Sequence, residues 1–68
     1  MNKNAKKWVV AAWETAAEKN TVETWINLQS MLLVLQCCAG KPQESDDYYT
    51  LVRLSGERAR MLFIKDGV

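Results

Sequence analysis

A chain of 68 residues with a formal net charge of +1 and no histidine excludes several function classes at once. No catalytic dyad or triad can be built on imidazole, no global field drives the chain onto nucleic acid or an anionic membrane, and the length allows a single domain, residues 1–68, with a small core. The only two cysteines, Cys37 and Cys38, are neighbours that cannot close a loop within one chain, which points to a reducing, cytoplasmic setting.

At the amino-terminal end, lysines precede an apolar run, but that run is short and Glu14 closes it, so a secretory leader is not expected. From about Ala5 to Lys19, residues Ala5, Val9, Ala12, Trp13 and Ala16 recur at helical spacing, with Lys7, Glu14, Thr15 and Glu18 opposite them. This spacing predicts a first amphipathic helix.

A second helix is predicted over about 21–39. Asn20 is placed to cap it and Glu23 to reach back in a capping box, while Gly40 suits a left-handed position after the last turn and Pro42 cannot continue the helix. Between those limits the segment from Met31 to Ala39 has one polar residue, Gln36. It is far shorter than the roughly 20 apolar residues a membrane-spanning helix needs, so no membrane role is expected. Two apolar seams run along this helix: Trp25, Leu28, Leu32, Leu35 and Ala39 on one side, and Val22, Ile26, Leu33 and Cys37 on another. The short connection folds the first helix back on one seam, leaving the other for the C-terminal segment or a second chain.

Residues 40–47, with Pro, Ser and acidic side chains, read as a loop. For the stretch over about 48–65 two patterns compete. A β-hairpin turning at Ser55-Gly56 puts Tyr48, Val52, Leu54, Ala59, Met61 and Phe63 on one face and gathers Arg53, Arg58 and Arg60 on the other. A helix capped by Ser45 instead lines up Tyr48, Leu51, Val52, Ala59, Leu62 and Phe63, with Arg53, Glu57 and Arg60 as a charged ladder. Gly56 costs a helix about 1 kcal/mol relative to alanine, and the Tyr-Tyr-Thr and Leu-Phe-Ile runs suit strands. These cues favour the hairpin. The expected fold is therefore α+β, an antiparallel helix pair followed by a C-terminal β-hairpin, whose sheet a homodimer would complete; the alternative is an all-α three-helix domain.

Candidate chemistry is sparse. Cys37 and Cys38 point about 100° apart on a helix and lack the two further ligands that structural zinc requires, so they are expected to be small buried hydrophobes, with no metal bound. Glu44, Asp46 and Asp47 lack the spacing of a calcium loop, Glu14 and Glu18 read as solvated charges, and Gly40, Gly56 and Gly67 form no phosphate-binding loop. No cofactor and no catalytic residue are expected. The arginine face of the hairpin, Arg53, Arg58 and Arg60 with Tyr49 beside it, is the candidate partner surface, suited to phosphate, a stacked base or an acidic protein. Trp13 and Trp25 are assigned to the core. Trp8, at the margin of the first helix's apolar arc, is the candidate interface anchor.

These features lead to a small non-enzymatic protein-interaction module that self-associates and acts as a regulator, adaptor or inhibitor of a larger protein. The size alone fits such proteins from phage or mobile elements. The alternative is a small nucleic-acid-binding regulator that uses the arginine face.

Overall fold

The computed structural model describes residues 2–67 and is built from three helices, α1 (Lys3–Lys19), α2 (Val22–Cys38) and α3 (Pro42–Gly67). No strand occurs among the described residues. The β-hairpin, and with it the α+β class, is thereby corrected: the C-terminal third is one helix of 26 residues, and the all-α alternative fits.

Local chemistry sets the boundaries. Asn2 caps α1 by accepting a hydrogen bond from the Ala5 amide at 2.8 Å. Asn20 does not cap α2. It closes α1 in the left-handed region, at φ 51°, and its amide donates to the Ala16 carbonyl. The α2 cap falls to Thr21, whose hydroxyl accepts from the Thr24 amide at 3.2 Å while the Thr24 hydroxyl accepts from the Thr21 amide at 3.1 Å, a capping box without Glu23.

Gly40 shows no positive φ, because α2 ends on Ala39 in an extended conformation (φ −65°, ψ 126°). Two residues later Pro42 opens α3 instead of merely stopping α2. Proline is well suited to the first helical position, where its missing N–H would have no partner. Residues 42–47, expected as loop, are thus helix, and Glu44 sits in the first turn, where a negative charge is stabilised.

Gly56 is the residue that misleads the hairpin reading. It occupies mid-helix because the Gln29 amide crosses α3 there, donating from Nε2 to the Val52 carbonyl at 3.2 Å, and a Cβ on residue 56 would meet that amide. Ser55 beside it is fully buried and satisfies its hydroxyl on the same carbonyl at 3.0 Å. The face that α3 buries, Tyr48, Val52 and Ala59 with Leu51 and Leu62 partly covered, follows the helical pattern, apart from Phe63, which is 66% exposed.

The core is one cluster: Val9 and Ala16 of α1, Trp25, Leu28 and Leu32 of α2, and Tyr48, Val52 and Ala59 of α3. Trp25 is its centre, fully buried and edge-on to Trp13 with ring centroids 5.1 Å apart. Both α1 and α3 run antiparallel to α2 and therefore parallel to each other. The α2–α3 contact is extensive and the α1–α2 contact lighter, and no Cα of α1 approaches one of α3 within 8 Å.

Candidate functional site

The space between α1 and α3 follows from where each helix meets α2. Ala12, Thr15, Ala16 and Lys19 of α1 face Thr24, Leu28 and Met31, while α3 lies against Trp25 and Gln29. At roughly 100° per residue these two arcs are about 100° apart around α2. Three helices so arranged occupy three corners of a four-helix bundle, and the corner opposite α2 is open.

That open corner is a groove of about 660 Å³. One wall is α1, through Lys6, Val9, Val10 and Trp13; the other is α3, through Asp47, Thr50, Leu51 and Leu54. Val10 and Leu54 are 47% and 44% exposed, so apolar side chains from both walls meet solvent along it. Lys6 and Asp47 mark one end and Trp13 and Leu54 the other. Apolar lining with one charge of each sign suits an amphipathic helix in a groove.

α3 continues past the start of α2. Trp25 lies opposite Arg58, so Val22, at the start of α2, lies opposite residues about one turn further along α3. The helix then runs about one and a half turns past α2. Its length, about 39 Å at 1.5 Å per residue, accounts for the 41 Å long dimension of the molecule. Met61, 71% exposed, lies about two turns beyond Leu54 on the same side of the helix, whereas Ile64 has turned toward the flank of Arg53.

The sequence-derived candidates do not converge on the groove. Trp8 is half exposed, but it sits 100° from Val9 on the side away from Val10, on the outer flank of α1. Tyr49, Arg53 and Arg60 share the flank of α3 opposite the groove. Arg58 leaves that group: its guanidinium lies over the Trp25 ring, 5.5 Å from the centroid. The three arginines expected on one hairpin face are thus split by the helix, and the predicted arginine face does not form. The second seam of α2 is also left without cover, with Ile26, Leu33 and Cys37 exposed because α1 and α3 both take the arc around the first.

Both cysteines are exposed, which corrects their assignment to the interior. They end α2, where its buried arc has turned toward Leu35, Gln36 and Ala39. Among the described residues no group of three or more His, Cys, Asp or Glu is arranged to hold a metal ion, and no helix is long and apolar enough to cross a membrane.

Sequence reasoning reached Val9, Ala12 and Trp13 as an apolar stripe but missed the groove, since a hairpin supplies no second wall. The signal was present in the helical reading of 48–65, which leaves Leu54 and Met61 off the buried face. Comparison with family models, curated proteins and solved structures returned no match.

Proposed function

We propose that this chain is a small non-enzymatic interaction module that acts by receiving a protein helix in the groove between α1 and α3, as a regulator, adaptor or inhibitor. The observation that carries the reading is the vacant corner of the bundle, whose walls expose Val10 and Leu54 to solvent without any catalytic constellation beside them. Exposed apolar side chains clustered in a rimmed groove mark interaction sites more often than scattered ones do.

A photo-reactive amino acid tests this directly. Placed at Leu54 in the native host, it traps a discrete protein that excess unlabelled chain competes away, whereas the same probe at Ser30, on the exposed side of α2, does not. Equal trapping from both positions, or none from Leu54, overturns the reading.

A further inference from the structure

We infer that the helix received by the groove belongs to a different protein and begins with an acidic first turn, which Arg58 and Lys65 recognise at the Trp13–Leu54 end. This rests on the reading of the groove as a helix-binding site and names the chemistry of its guest.

The basic end is built from α3. Arg58 lies one turn beyond Leu54 on the same side of the helix, and Lys65 two turns further along that side. The Arg58 guanidinium is seated over the Trp25 ring, and Trp25 in turn meets Trp13, a lining residue of the groove, edge-on. Arg58 is nevertheless an exposed residue. A guanidinium stacked on an aromatic face keeps the N–H donors of its rim in plane and open to a carboxylate, so the ring orients the fork without using it up.

Charge names the guest. Among the described residues no carboxylate is paired with Arg58 or Lys65, and both are exposed. Glu14 and Glu57, the acids nearest to that end in sequence, turn about 70–90° from the centres of their walls. At the other end Lys6 stands against Asp47, whose charge is already engaged. The uncompensated charge on the groove side is therefore positive and lies toward the Trp13–Leu54 end, where it complements an acidic segment.

Polarity agrees with this. α1 and α3 both begin at the Lys6–Asp47 end, and a helix in the fourth corner of an up-and-down bundle runs antiparallel to them. Its first turn thus falls beside Arg58, and the first turn is where a helix favours Asp and Glu on its own account. A second copy of this chain is a poor guest. Its α1 begins with lysines, its α2 carries both neighbours, and its α3 spends its apolar face on α2, which leaves Leu54 and Met61 alone to offer.

Fluorescence anisotropy of labelled synthetic helices, titrated with the full chain, supplies the test. Three peptides share one leucine stripe and differ in the first turn, which carries glutamate, glutamine or lysine. The glutamate peptide is expected to bind about tenfold more tightly than the glutamine one, by a margin that shrinks as salt rises, and the lysine peptide more weakly than either. Arg58→Gln with Lys65→Gln erases this preference, whereas Arg53→Gln with Arg60→Gln, the same loss of charge on the opposite flank, leaves it in place. Circular dichroism is recorded for each variant, and Lys65→Gln alone, at an exposed position beyond the core, narrows the preference even if the double change lowers helicity.

Equal binding of the three peptides, or none, overturns the inference, as does a preference that survives the Arg58 and Lys65 changes or is lost with those at Arg53 and Arg60. A chain that sediments as a dimer and is made monomeric by Leu54→Arg also overturns it, by naming a second copy as the occupant. If the charge preference fails while the Leu54 probe traps another protein, the groove reading stands; if nothing is trapped either, both are retired.

Discussion

The indole N–H of Trp25 donates to the side-chain oxygen of Asn20 at 2.9 Å, tying the most buried ring of the protein to the one non-glycine residue held at positive φ among the described residues. Asn20 therefore does two things at the α1–α2 turn. It tolerates the left-handed backbone better than most side chains do, and it satisfies the donor that a buried tryptophan brings with it.

Replacing Asn20 separates these contributions. Asn20→Gly keeps the backbone freedom and loses the hydrogen bond, for an expected loss of about 1 kcal/mol. Asn20→Ala loses the bond and adds strain, for about 2 kcal/mol in total. Urea denaturation of both variants checks the order; an alanine variant as stable as the glycine one contradicts it.

Gly56 and Gln29 are expected to be coupled. Glycine to alanine in a helix interior is worth about 1 kcal/mol in favour of alanine, but here the new methyl displaces the Gln29 amide from the Val52 carbonyl, at a cost of similar size. Gly56→Ala alone should thus leave stability within about 0.5 kcal/mol of wild type, whereas in a Gln29→Ala background it should stabilise by about 1 kcal/mol. Equal effects in both backgrounds show that the two residues do not interact.

Among the arginines, Arg58 should matter most for folding. Its position over Trp25 predicts a loss of about 0.5–1 kcal/mol for Arg58→Ala, with Arg53→Ala and Arg60→Ala inside about 0.5 kcal/mol as ordinary surface changes. Thermal melts of the three variants distinguish this ranking from a uniform effect.

Cys37 and Cys38 are both exposed, so a maleimide applied without denaturant should modify both at rates close to those of the unfolded chain. Slow modification of either thiol is the contrary result.

How much of this was legible in the sequence depends on the element. The first two helices can be read because Val9, Ala16, Trp25, Leu28 and Leu32 recur at helical spacing, and all five are buried. Their caps cannot, because Asn20 and Thr21 are adjacent and both chemically suited to end or begin a helix; the backbone gives the left-handed position to one and the capping box to the other. The C-terminal third misleads because Gly56 carries a turn signal locally, while its actual reason lies 27 positions upstream in Gln29, a contact that no local pattern encodes. The same segment's apolar residues are correctly grouped by the helical alternative, with Tyr48, Leu51, Val52, Ala59 and Leu62 on one side. The groove is invisible until both of its walls are helices.

Because no Cα of α1 comes within 8 Å of one of α3 and the contact of α1 with α2 is lighter than that of α3 with α2, the molecule should come apart in stages. The α2–α3 hairpin holds most of the packing, so α1 is the segment that detaches at the lower free energy. Its mid-helix amides around Val9 and Trp13 should exchange with deuterium well before those around Leu32 and Val52, and a single uniform exchange rate across all three helices would show instead that the molecule opens as one unit. Each detachment would briefly uncover Leu28 and one edge of the Trp25 ring, so the lifetime of the attached state, and not only the shape of the groove, governs how long any guest helix finds two walls to hold it.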